Sequence, residues 1–153
     1  MKKIIILLLF VMLFSTGNGN EAAAETPGID EVTTAVLFEQ HQGKTTFTVK
    51  ITNNMEEELL LTFPTGQKIE VEVQNKKGEE LYRYSEGRMF TQSFEKVRIP
   101  PNETKQWTAD WNTGINQLEP GPYLITGIIT ATKTEPKINE KKLKAKKVFF
   151  VNP

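Results

Sequence analysis

The sequence predicts an all-β chain, an antiparallel β-sandwich of eight or nine short strands. Three observations predict it. Apolar side chains recur at every second position in one segment after another, which lays one face of an extended strand inside and the other in water. Gly, Pro and Asn clusters separate those segments at hairpin spacing. No convincing amphipathic helical period runs over ten residues. A strand with one apolar face needs a second sheet to cover it, so this alternation calls for two layers.

The elements follow in chain order. Lys2 and Lys3 precede an unbroken apolar run, Ile4–Phe14, and Ala22-Ala23-Ala24 has the small-residue shape of a cleavage site. This is the pattern of a secretory signal peptide over residues 1–24, cut after Ala24. The apolar run is 11 residues long, against the roughly 20 needed to span a bilayer. No stable membrane anchor is therefore expected after cleavage; the alternative is retention as an N-terminal anchor. Without Cys, a thiol-linked lipid is excluded. Residues 25–31 (ETPGIDE) read as a flexible lead-in, and residues 32–153 as one domain.

The first strand runs over about 32–40 and ends in the turn His41-Gln42-Gly43. Phe47, Val49 and Ile51 alternate with Thr46, Thr48 and Lys50, and Asn53-Asn54 closes that strand. Leu59–Phe63 is apolar enough to be covered on both sides. Ile69, Val71 and Val73 point inward, leaving Lys68, Glu70 and Glu72 to water. Asn75-Lys76-Lys77-Gly78 is a type I turn with Gly free to take a left-handed conformation. Val97–Ile99 ends at Pro100-Pro101-Asn102, and Trp107, Ala109 and Trp111 share a face. After Glu119-Pro120-Gly121 come Tyr123, Ile125, Gly127 and Ile129, whose opposite face is half apolar, as in a central strand. Leu143–Val151 closes the domain.

Composition excludes several functions. The chain has 19 basic and 19 acidic residues; loss of Lys2, Lys3 and Glu21 with the signal leaves a net charge of −1 and no bulk attraction to nucleic acid. One His and no Cys remove cysteine nucleophiles and His–Cys zinc sites. His41 lies in a hairpin turn, and no Ser occupies a G-x-S-x-G context. Asp110 to Gly114 echoes a calcium loop, but its Gly falls at the fifth position rather than the sixth and no acid closes the loop. The sequence thus predicts no catalytic residues, no metal and no cofactor: a binding protein rather than an enzyme.

Two surface features have two readings each. On a strand Leu143–Val151, Lys142, Lys144 and Lys146 project together, either to contact an anionic cell-wall polymer or to protect a sheet edge from pairing with another chain. Trp107 and Trp111, four apart, either stack on sugar rings or fill the core, the commoner fate of such residues in a sandwich.

Pro64 cannot donate to a ladder, so the strand before it ends, and Thr65-Gly66-Gln67 turns the chain into the next. Asn53-Asn54 followed by Leu59-x-Leu61-x-Phe63-x-Thr65-Gly66-Gln67-x-Ile69-x-Val71-x-Val73 resembles the signature of the intracellular proteinase inhibitor family, BsuPI. The resemblance continues through Gly78, Tyr84-Ser85-x-Gly87-x-x-Phe90-x-Gln92, the Pro100–Thr104 turn, Trp107, Trp111 and Pro120-Gly121-x-Tyr123, over about residues 33–132. It implies an immunoglobulin-like β-sandwich and, for the family's namesake, inhibition of an intracellular serine proteinase; the partner expected here is a serine proteinase of the subtilisin type. The leader departs from an intracellular setting and points to a secreted, extracytoplasmic domain whose partner lies outside the membrane.

An inhibitor presents a rigid exposed segment to the enzyme's cleft. Arg83–Gln92 is the candidate partner-binding loop, with Arg83, Tyr84, Arg88, Met89, Phe90 and Gln92 as its contact residues and Arg88, Met89 and Phe90 as anchors. Thr65, Gly66 and Gln67 are the candidate supporting turn. The competing reading has Met89 and Phe90 opening a buried strand, with Gln92 bonding backbone. A cell-envelope adhesion module, using the lysine row on a wall polymer or another protein, is the alternative function.

Overall fold

The computed structural model describes residues 30–112 and 114–152; the expected signal peptide, residues 1–24, and most of the expected lead-in lie outside them. The described residues form ten strands: β1 (Val32–His41), β2 (Lys44–Asn53), β3 (Leu59–Phe63), β4 (Ile69–Asn75), β5 (Glu80–Arg83), β6 (Glu95–Ile99), β7 (Thr104–Trp111), β8 (Gly121–Ile129), β9 (Lys133–Glu135) and β10 (Lys144–Val151). They pair antiparallel in three sheets, ordered β1-β2-β7, β10-β8-β4-β5 and β6-β3-β9. No α-helix occurs among the described residues; two short 3-10 turns cover Ile115–Gln117 and Glu140–Leu143. The architecture is an immunoglobulin-like all-β sandwich.

The alternating positions meet inside. Phe47, Val49 and Ile51 of β2 are buried, as are Leu59, Leu61 and Phe63 of β3, Val71 and Val73 of β4, and Ile125 and Ile129 of β8. Each removes on the order of 1.5–3 kcal/mol of apolar surface from water, against the entropy of ordering it. β8 is central, and its Gly127 explains how it closes on the facing sheet. A Cβ there would lie 2.9 Å from Val36 Cβ and 3.0 Å from Val49 Cγ2. Trp107 and Trp111 turn toward the core: Trp107 sits edge-on to Phe63 at 6.1 Å, and Trp111 stacks on Phe47 at 6.4 Å.

Buried polar groups are matched. Asn53, at an inward position of β2, donates to Glu57 O (2.7 Å) and Ile99 O (2.9 Å) and accepts from Met55 N (3.0 Å). Asn54 donates to Asp30 O at 2.7 Å, and its backbone amide to Glu31 O at 2.9 Å, so the end of the lead-in is fastened to the β2–β3 turn. The β1–β2 hairpin has a two-residue turn with both residues at positive φ, Gln42 at 49° and Gly43 at 82°, which matches the twist of the flanking strands.

The strand pattern departs from the sequence reading at β9, at Glu70 and at the start of the last strand. β9 was not expected: Lys-Thr-Glu shows no apolar alternation and becomes a strand only because β3 pairs with it. Glu70 is buried rather than water-facing. The last strand begins at Lys144, because Asn139 caps a 3-10 turn by accepting from Lys141 N and holds Glu140–Leu143 out of the ladder.

Candidate partner-binding site

The corner after β3 is a hand-over between sheets. Beyond Phe63 the chain leaves the β3–β9 ladder and enters the β4–β8 ladder, while the partner strand passes from β8 into β9. Two hydrogen bonds span the gap, from Thr130 N to Lys68 O (3.0 Å) and from Thr132 N to Thr62 O (2.9 Å). Thr65 Oγ1 accepts from Gln67 N at 3.2 Å, and Gln67 O accepts from Thr130 Oγ1 at 2.7 Å. Lys68 crosses the corner to Glu95 Oε2 at 2.7 Å and lies 5.0 Å from the Phe63 ring centre.

Glu70 links this corner to the next connection. Its Oε1 accepts from Ser85 N and from Val71 N, both at 3.1 Å, and its Oε2 accepts from Gln67 Nε2 at 3.1 Å. Alternation along β4 places this side chain on the outer face, and Tyr84 and Ser85 fold across that face, Tyr84 N donating to Val71 O at 2.9 Å. A carboxylate removed from water needs such donors, and here it has three. No local pattern announces this role, because the cover arrives from 15 residues further along the chain.

The segment from Arg83 to Phe94 has a tight base and a bare apex. Arg83 pairs with Glu72 (2.8 Å) and with Glu80. A turn follows, with Glu86 N donating to Arg83 O (3.2 Å), Arg88 N to Ser85 O (3.1 Å), and Gly87 at φ +70°. Arg88 and Phe90 then both settle on Tyr84: the guanidinium 4.5 Å from its ring centre, the Phe90 ring 6.0 Å away and tilted. Gly66 N donates to Thr91 O at 2.9 Å, and Gln92 Nε2 to Phe90 O at 3.0 Å. A Cβ on Gly66 would fall 2.3 Å from Thr91 Oγ1, so any larger residue there must displace the Thr91 hydroxyl. Met89 is 99% exposed and Phe94 78%. The reading of Met89 and Phe90 as the start of a buried strand is corrected: β6 begins only at Glu95, and Phe90 is half-buried against Tyr84.

The base rests on the aromatic wall of the sandwich. Tyr82 stacks on Trp111 at 5.1 Å and on Phe47 at 5.5 Å, and its hydroxyl donates to Asp110 O at 3.1 Å. Burial pushes the phenol up to about 12, opposed by the charge of Arg88. Hydrogen bonds from Lys44 (2.8 Å) and Thr46 (2.8 Å) hold the Asp110 carboxyl below its ordinary range, with a contribution from Arg88. A groove of about 410 Å³ runs beside the segment, walled by Gly66, Lys68, Tyr84, Phe90 and Trp107.

The lysine row does not form as a row of three. Lys142 lies in the 3-10 turn, where its Nζ pairs with Asp30 and its carbonyl accepts from Thr34 Oγ1 at 2.6 Å. Lys144 and Lys146 are exposed on β10, an edge strand of its sheet, and Val148 and Phe150 continue the same face, 57% and 71% exposed. Among the described residues no three His, Asp or Glu side chains gather to hold a metal.

Residues 32–134 match the model of the family described as intracellular proteinase inhibitor, BsuPI. The chain belongs to the BsuPI family. The matched span contains the whole corner and the Arg83–Phe94 segment and stops before Lys144 and Lys146. No curated protein matches the sequence. Among solved structures, the chain is similar to β-glucosidase 3B from Thermotoga neapolitana in complex with α-D-glucose, at 14% identity and TM-score 0.39, over 80% of this chain and 16% of that one. It is similar to β-glucosidase from Kluyveromyces marxianus in complex with glucose at 18% identity and TM-score 0.38, over 80% and 14%. A DUF1425 family member from Shewanella sp. pv-4 aligns at 13% identity and TM-score 0.35, over 77% and 74%. The BsuPI chain therefore spans only about a sixth of the length of those glucosidases.

Proposed function

We propose that this BsuPI domain is an exported, non-enzymatic inhibitor of a serine proteinase of the subtilisin type, and that it binds the enzyme through the segment Arg83–Phe94. One observation carries the reading. Ser85 and Thr91 are tied to the same corner, through Glu70 and Gly66, while Met89 between them has its side chain in solvent. Holding both ends of a short exposed segment reduces the entropy lost when an enzyme cleft closes on it. The family description names an intracellular inhibitor; residues 1–24 favour export, so the partner is a proteinase beyond the membrane. Titration of the purified protein into subtilisin-like proteinases tests the reading. Stoichiometric loss of peptide turnover supports it; full turnover at micromolar protein, with the domain intact, rejects it.

A cell-envelope interaction module remains the second reading, favoured by the exposed Lys144, Lys146, Val148 and Phe150 on an edge strand outside the matched family span. Retention on beads bearing an anionic polymer, released by moderate salt and abolished by Lys144→Gln with Lys146→Gln, supports it. Flow-through at low salt removes it.

A further inference from the structure

We propose that Met89 is the residue inserted into the primary specificity pocket of the target, that Met89–Phe90 is the bond presented for attack, and that the partner is a proteinase whose pocket is apolar. The proposal rests on the inhibitor reading above and deepens it.

Arg88, Met89 and Phe90 are all anchor types, and the structure separates them. Arg88 is spent on Tyr84, with its charge directed back toward Tyr82 and Asp110. Phe90 rests on the same ring. Met89 stands between them with 99% of its surface in solvent. An unbranched apolar side chain held out by two pinned neighbours has no folding role and retains all of its burial energy for a partner. Backbone chemistry agrees. Residues 88–92 carry no regular structure, and the Met89 and Phe90 amides make no backbone hydrogen bond among the described residues. They are free to pair as an added strand in a cleft that reads extended peptides.

The placement also accounts for resistance to cleavage. The enzyme's serine oxygen adds to the Met89 carbonyl carbon; the Met89–Phe90 C–N bond breaks, and the serine proton passes to the Phe90 nitrogen. On one side of the cut, Arg88 stays on Tyr84 and Ser85 stays on Glu70. On the other, Phe90 stays on the same Tyr84 and Thr91 stays on Gly66. The new amine is thus kept beside the acyl carbon. It attacks, the peptide bond re-forms, and the proton returns to the serine. A cut between Arg88 and Met89 would leave Met89 unanchored at the new amine.

The experiment measures inhibition constants of the purified protein against subtilisin, chymotrypsin and trypsin, whose pockets differ in polarity. The unaltered protein is expected to inhibit enzymes with apolar pockets and to spare trypsin. Met89→Ala should weaken that inhibition about thirtyfold or more, the scale of a hot-spot truncation. Met89→Lys should transfer inhibition to trypsin. Long incubation should yield a species nicked between Met89 and Phe90, identified by mass spectrometry. Inhibition indifferent to both Met89 variants, yet lost in Tyr84→Ala with an unchanged far-UV spectrum, overturns the assignment of Met89 while leaving the segment as the contact. Preference of the unaltered protein for trypsin overturns it in favour of Arg88. Absence of inhibition of all three enzymes by a folded protein removes the inhibitor reading and this inference with it.

Discussion

The two connections at either end of β5 are built on opposite plans. Asn75–Gly78, between β4 and β5, satisfies itself. Gly78 N donates to Asn75 O at 2.9 Å, and Asn75 Oδ1 accepts from Lys77 N (2.9 Å) and Glu79 N (3.0 Å). The segment between β5 and β6 instead depends on residues outside it, Glu70 of β4 and Gly66 of the corner, besides its own Tyr84 ring. A turn whose bonds are internal needs nothing beyond itself, and such turns recur wherever a hairpin must reverse. A connection whose two ends are fastened to a remote corner holds one particular shape in space, which is what a presented segment requires. The difference teaches where to look for recognition in a fold without chemistry of its own.

Glu70 breaks the comparison most severely. Glu70→Ala takes this acceptor from Ser85 N and Val71 N and leaves Gln67 Nε2 with Ile69 O alone, at a cost of about 2–3 kcal/mol. Denaturant titration should show that loss, and hydrogen exchange should show Ser85 unprotected while the Asn75 turn keeps its protection. Equal loss at both sites would mean that the two connections share one support. Gly66→Ala comes next. Its Cβ meets Thr91 Oγ1 at 2.3 Å, so the Thr91 hydroxyl must leave its rotamer and its place beside Glu95, at about 1–2 kcal/mol. Pairing it with Thr91→Ala should recover most of that loss; no recovery would place the strain elsewhere.

How much of this was legible in the chain depends on whether a residue's surroundings are local. Phe47, Val49, Ile51, Ile69, Val71 and Val73 declared themselves because strand period two is a property of adjacent positions. The hairpin glycines did so because positive φ has a residue preference. Glu70 reads as solvent-facing by the same rule, and the rule fails because the Tyr84–Ser85 turn arrives from far along the chain to cover it. β9 was hidden since Lys-Thr-Glu has no strand signal apart from its pairing with β3. In the candidate site, Tyr84, Arg88, Met89, Phe90 and Gln92 could be grouped from sequence. Which of them stands out could not, because an irregular segment has no period to assign faces.

Tyr82 tests the platform beneath the segment. Its phenol is neutral when folded and pushed by burial up to about 12 from 10.0. Folding therefore keeps its full contribution below pH 10, where the unfolded phenol begins to ionise. That contribution falls as pH rises through the window from 10 to about 12. Tyr82→Phe should flatten stability in this window relative to the unaltered protein. At neutral pH it should cost about 1 kcal/mol for the bond to Asp110 O. An unchanged alkaline slope would show that other groups set it.

The smallest change is the sharpest, because it repeats one substitution in both connections. Gly78 has φ +82° and Gly87 φ +70°, and a Cβ at either meets nothing within 4 Å. Gly78→Ala and Gly87→Ala thus impose the same backbone penalty, about 1 kcal/mol each, with no clash to confuse them. Gly78→Ala should lower the denaturation midpoint and leave proteinase inhibition where it was, since its turn makes no bond to the Arg83–Phe94 segment. Gly87→Ala should lower the midpoint equally and weaken inhibition, because relaxing φ at 87 pulls Arg88 N from Ser85 O and Arg88 off Tyr84. Matched losses of stability with matched inhibition would show that a partner does not read the shape of the Arg83–Phe94 segment, and the contrast between the two connections would then be architectural alone.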